Sequence, residues 1–415
     1  MTDLTIEIAN KNTRKRVYTF AVLFLMWGLL TVLNFVLIDH LRFVFGLSYA
    51  PSMLINITFF SSYLIISLHA GNLINKIGYK KAIIIGWMLA CLGCFVFYFA
   101  VYVRSYQYFL VALFILAAGI TVLQVSANLY VVLLGDKRSA ASRLTLVQAF
   151  NSLGTFIAPL FASYVLAYQT HLPATIRGTL GTKDLLHMDS AYVHYPYLYL
   201  GILMLVFAVY LWYADIPNID TSNIEPLNKI TSLRKRHVMH FPQLRLGAFG
   251  IFAYVGAEVA LANYIVAYAP EKSQFYWGAA MIGRFIGSIL LLRVSVRKAV
   301  TFCAGMAALL VIISIFTTQN VSVWAVVIVG LFNSILFPSI FTLGVNGLGK
   351  FSIDGSAVLI MFIVGGAVIP FNVLNYSYVS YKIAFIIPVM CYIYIMIYGW
   401  RLSKFDKRDD LRDED

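Results

Sequence analysis

Six side chains in this 415-residue sequence carry chemistry that their surroundings do not share. Gln124 and Asn128 stand four residues apart in GITVLQVSANLYVVLLG (119–135), and Gln148 and Asn151 three apart in LTLVQAFNSLG (144–154). Either spacing puts both amides on one face of a helix. Amides donate and accept hydrogen bonds without charge, which matches the hydroxyl rim of a neutral polyol. The other two are Glu258 in YVGAEVALANYIVAY (254–268) and Arg284 in GAAMIGRFIGS (278–288), charges inside otherwise apolar runs. In hydrocarbon an unpaired amide finds no partner, and a lone Glu or Arg costs about 2.5–3.5 kcal/mol or more. Amides and charges of this kind predict a polar cavity shared between helices.

The elements that must position them are membrane helices. Hydrophobic residues make up 61% of the chain and charged ones 12%, far from the balance of soluble proteins. Apolar stretches of roughly 20 residues, each long enough to span a bilayer, recur along the whole length. Twelve spans are expected, in an all-α integral membrane fold of two parallel six-helix halves. Residues 1–213 would form the first half, 214–243 a cytoplasmic linker and 244–415 the second half with a short tail. Glu258 falls about fourteen residues along span seven and Arg284 about nine residues along span eight, so both sit roughly 14–21 Å deep. Depth alone suggests that they pair, directly or through the cavity. A static ion pair and a ligand- or cation-binding Glu258 both fit that placement.

The net charge of +13 is arranged for a membrane, not for nucleic acid. Lysines and arginines crowd alternate loops: Lys11–Arg16, Lys76–Lys81, Lys137–Arg143, Lys229–Arg245, Arg293–Lys298, Lys350 and Arg401–Arg412. The intervening loops hold few. By the positive-inside rule both termini face the cytoplasm. Cys91, Cys94, Cys303 and Cys391 lie inside apolar runs and read as inert buried thiols. The first apolar run follows basic residues but extends to about Ile38 without a cleavage site, so a signal peptide is not expected.

Other features bear on mechanism. Gly283, Gly287 and Ser288 make a small-residue face, as do Gly365 and Gly366, and such faces let helices approach. Pro159, Pro338 and Pro370 interrupt spans and free backbone carbonyls. LGDKRSAAS (134–142) and LGKFSIDGS (348–356) echo one another after the fourth span of each half. Aromatic residues total 15%; by depth Trp27, Phe35, Tyr63, Tyr264 and Trp277 are candidates to face the cavity. Asn34, Phe35 and Asn263 complete the candidate binding set. Asp39, near the end of span one, is a third possible partner for a coupling cation.

The segment GNLINKIGYKK (71–81) resembles the loop signature of the major facilitator superfamily, with Gly71, Gly78, Lys80 and Lys81 in place and Asn75 where an acid is usual. The pairing that closes this gate is therefore weakened or supplied elsewhere. GITVLQVSANLYVVLLG, SRLTLVQAFNSLG, YVGAEVALANYIVAY, GAAMIGRFIGS, FPSIFTLGVNGLG and IVGGAVIP together resemble the fucose–proton symporter and glucose/galactose transporter branch, from about Trp27 to Gly399.

That resemblance implies alternating access, a hexose-type substrate, a small-molecule carrier without prosthetic group, and a monomer in the bacterial cytoplasmic membrane. By position, Gln148 and Asn151 match amides that contact sugar in the fucose symporter. Gln124 falls where that symporter has a glutamate, and Glu258 matches the glucose/galactose pattern. In LNFVLIDHL (33–41) the branch usually has aspartate where this chain has Phe35, and that acid is implicated in proton coupling. Asp39 lies one turn farther out on the same face. Either Asp39 is a displaced proton acceptor, or proton coupling is lost, leaving a uniporter or Na⁺ at Glu258. H⁺ and Na⁺ both stay open as coupling ions. Rival readings are a carrier of another solute (amino sugar, peptide or drug) and a non-transporting sugar sensor. An enzyme is not expected, since intramembrane chemistry would need clustered His and carboxylates.

Overall fold

The computed structural model describes residues 13, 15–32, 49–103, 105–169, 182–214, 216, 217, 219, 238–370 and 381–410. Asn34, Phe35 and Asp39 lie outside them. The helices are α1 (Lys15–Val32), α2 (Tyr49–Ile77), α3 (Tyr79–Val103), α4 (Tyr106–Leu133), α5 (Ala140–Gln169), α6 (Thr182–Tyr213), α7 (Pro242–Tyr268), α8 (Ser273–Leu290) and α9 (Val296–Phe316). Then follow α10, in two segments Gln319–Asn333 and Leu336–Val345, α11 (Gly349–Pro370) and α12 (Ile386–Asp410). Among the described residues nine helices are long and apolar enough to cross a membrane. The three that fall short are α5, α6 and α8. Gln148 and Asn151 lie on α5 and Arg284 on α8, while Gln124 and Asn128 lie on α4. The chain is a multi-pass membrane protein.

Packing repeats six helices later. α3 lies against α6 as α9 lies against α12, and α2 against α4 as α8 against α10. The halves then meet through two equivalent pairs, α5 with α8 and α2 with α11. The sequence echo has a structural counterpart: Lys137–Ser139 and Gly349–Phe351 each form a single 3₁₀ turn that feeds the next long helix.

Hydrophobic burial cannot hold helices together in lipid, so close backbone approach does that work. Gly119 on α4 shows how close. A Cβ there would sit 2.5 Å from the Ala90 nitrogen and 2.6 Å from the Gly86 carbonyl oxygen of α3. Neither backbone atom can swing aside. Gly119→Val is therefore expected to destabilise the first half by about 1–3 kcal/mol or more. The readout is a lowered Tm and loss of monodisperse protein in detergent; an unchanged Tm would mean that α3 and α4 part easily.

Candidate functional site

Of the four amides expected to share one polar space, two meet each other. Gln148 Nε2 donates to Asn128 Oδ1 at 3.1 Å, joining α5 to α4. Both side chains are buried, and Asn128 Nδ2 has no hydrogen-bond partner among the described residues. An orphaned buried donor costs about 1–3 kcal/mol, so a ligand acceptor or water there would be favoured. Gln124 instead donates to Tyr63 Oη on α2 at 3.1 Å.

Asn151 turns the other way and donates Nδ2 to the Phe24 carbonyl of α1 at 3.0 Å. At that crossing a Cβ on Gly28 would overlap the Asn151 carbonyl oxygen. Asn151, expected with Gln148 to face a shared polar cavity, here uses its donor to fasten α1 to α5.

In the second half, Glu258 is half-buried on α7 and accepts a hydrogen bond from Tyr254 Oη, one turn earlier, at 2.7 Å. Arg284 on α8 donates Nε to the Ser334 carbonyl at 3.2 Å and a terminal nitrogen to Ser152 Oγ on α5. The Ser334 carbonyl is available for a local reason. Pro338, four residues on, has no N–H to offer it. The turn between the two segments of α10 follows from that missing bond. Asn333, beside this break, donates Nδ2 to Tyr276 Oη at 3.1 Å.

Glu258 and Arg284 lie within Coulomb reach, yet neither is the other's hydrogen-bond partner among the described residues. Of the two arrangements their depth suggested, direct pairing and pairing through the cavity, the direct one is not made. The guanidinium spans the two halves instead, and Ser152 Oγ is also 3.2 Å from the Gln148 carbonyl. Arg284 thus ties the α10 break to Ser152 on α5, one helical turn after Gln148. Ser152, Tyr254 and Ser334 escaped the sequence reading. Ser152 does follow Gln148 by four residues, as Tyr254 precedes Glu258, so helical spacing held the signal.

Among the other candidates, Asn263 is half-buried on α7 with no side-chain hydrogen bond among the described residues. Trp27 and Tyr63 are buried in the first half, Tyr264 stacks on Tyr268, and Trp277 is partly exposed beside Tyr276. His69 Nδ1 is 2.9 Å from the Ile65 carbonyl of its own helix. Cys91 and Cys94 pack on α6 at Gly201 and Met204.

The end of the bundle that carries the basic loops is held shut across the halves. Asn75 Nδ2 donates to Asp354 Oδ1 of α11 at 3.4 Å, Ser356 Oγ to the Val125 carbonyl at 2.8 Å, and Ser142 Oγ to the Ser288 carbonyl at 2.6 Å. The acid missing at position 75 is thus answered by one on the opposite half. Gly71 lies against Ala357 on the same α2–α11 seam, and Lys80 Nζ caps the end of α6 at the Ala214 carbonyl, 2.7 Å away. Lys81 is exposed. Asn75→Asp would set two carboxylates face to face, and is expected to weaken this closure by about 1 kcal/mol. Spin-label distances across the basic end should lengthen; an unchanged distribution would show that the pair contributes nothing to closure.

The family model of the Major Facilitator Superfamily matches residues 19–371. The chain belongs to the major facilitator superfamily. Its facilitator relatives match along nearly their full lengths. A glucose/galactose transporter of Brucella abortus is 40% identical over 410 residues, 95% of this chain and 96% of that one. An L-fucose-proton symporter of Escherichia coli is 30% identical over 416 residues, 93% of each chain. A crystal structure of the E. coli fucose:proton symporter superposes with a TM-score of 0.81 at 29% identity, over 93% of this chain and 98% of that one. The twelve-helix facilitator architecture expected from the sequence is the one observed.

Proposed function

We propose that this facilitator is a secondary transporter of a monosaccharide, a hexose such as glucose, galactose or fucose. It would work by alternating access in the bacterial cytoplasmic membrane with both termini inside. The observation that carries the reading is the buried Gln148–Asn128 pair with its unanswered Asn128 donor. A neutral donor–acceptor pair suits a ring with hydroxyl edges. The kinship with glucose/galactose and fucose carriers supports the same cargo class. Glu258 is the half-buried carboxylate that takes the coupling cation, H⁺ or Na⁺, while Arg284 supplies the opposing charge. Basic loops collected at the closed end support a cytoplasmic assignment for that end.

The test is counterflow of radiolabelled glucose, galactose and fucose into proteoliposomes, followed by uptake under an imposed pH or Na⁺ gradient. Counterflow of one sugar with acceleration by one gradient is expected. Binding without counterflow would leave a sensor, and counterflow indifferent to both gradients would leave a uniporter.

A further inference from the structure

At the basic end, outside the Ser142–Ser288 contact, the two halves enclose a recess of about 630 Å³. Its cations come in equal numbers from each side. Lys137 and Arg138 belong to the turn before α5, Arg293 to the connection between α8 and α9, and Arg297 to the first turn of α9. Three are exposed and Arg297 is half-buried. No carboxylate lines the recess among the described residues. The nearby Asp136 carboxylate is engaged by the Arg138 backbone N–H at 3.0 Å.

Positive loops on the cytoplasmic side are expected of any membrane protein. What topology does not require is that cations from both halves face one another across one cavity whose described lining holds no carboxylate. Closing this end brings like charges together, and opening it separates them. A neutral sugar gains nothing from such a lining. An anion gains from it only while the halves are together. Three guanidinium forks and an ammonium suit phosphoryl oxygens, which Arg binds in a bidentate way.

We propose that this recess is an anion site that binds a phosphoryl group and holds the basic end closed. The phosphoryl group belongs either to a soluble phosphate or to a phospholipid headgroup. Because the site exists only in the closed state, its occupant shifts the population toward that state and slows turnover. The site is distinct from the amide pair, and its occupancy is measurable without sugar.

The experiment uses the full-length chain. In detergent, Tm is followed against inorganic phosphate, with sodium chloride at matched ionic strength as reference. In lipid, Tm is compared between nanodiscs of phosphatidylcholine with and without phosphatidylglycerol. A saturable rise with phosphate supports the soluble source, and a rise only with phosphatidylglycerol supports the headgroup. In Lys137→Gln/Arg293→Gln the apparent affinity should fall on the order of tenfold, while Arg401→Gln, an exposed cation outside the recess, should respond as wild type. Should the double variant fail to fold, Arg138→Gln and Arg293→Gln singly should each weaken the response. No rise in either arm, or an equal rise in wild type and recess variants, overturns the proposal.

Discussion

Gln148→Ala should weaken sugar binding by about 10- to 100-fold while leaving the protein folded. The substitution strips Asn128 Oδ1 of its donor as well as removing a contact to the ligand, so a pair of amides is lost for one mutation. Asn151→Ala provides the contrast. Its Nδ2 is spent on the Phe24 carbonyl, so that change should lower Tm and leave the ranking of sugars intact. Equilibrium binding of glucose, galactose and fucose to the two purified variants, beside their melting curves, separates specificity from fastening. Equal losses of affinity in both variants would contradict the assignment, and so would no loss in Gln148→Ala.

Glu258→Gln should abolish gradient-driven accumulation and retain counterflow. Glutamine keeps an oxygen for the Tyr254 hydroxyl but removes the charge that a cation needs and that balances Arg284. Arg284 lies within Coulomb reach of Glu258 and also bridges the halves through the Ser334 carbonyl and Ser152 Oγ. Arg284→Gln alone is therefore expected to depress stability as well as transport, and the pair Glu258→Gln/Arg284→Gln to lack coupling as well. Accumulation measured in proteoliposomes, with Tm for all three variants, checks both halves of the statement. Intact accumulation by Glu258→Gln would reduce the carboxylate to a structural role.

The placement of these groups was unevenly legible. Glu258 and Arg284 stood out because charge at membrane depth is rare and costly, and the alternating basic loops pointed to an orientation by the positive-inside bias. The amides were legible as polar atoms that must be satisfied, but residue type does not say by whom. Gln148 found another amide, Gln124 a phenol and Asn151 a backbone carbonyl. Serine is less informative still. A helix can satisfy a serine hydroxyl internally, as Ser126 does with the Val122 carbonyl, so nothing in the sequence singled out Ser152 as the acceptor for Arg284. The partner of Asn75 was hidden by distance along the chain: Asp354 lies 279 residues away, on the other half. Short-range periodicity reaches one helix; it does not reach the helix opposite.

Pro338 has an effect on a helix it does not belong to. By withholding one N–H it leaves an unclaimed acceptor on Ser334, and the Arg284 side chain docks there. The ring of an imino acid thereby dictates the aim of a distant guanidinium. An alanine in its place would seal the backbone bond and evict that side chain, leaving a loose cation beside Glu258. The aim of Arg284 is thus set in part by an atom that is missing.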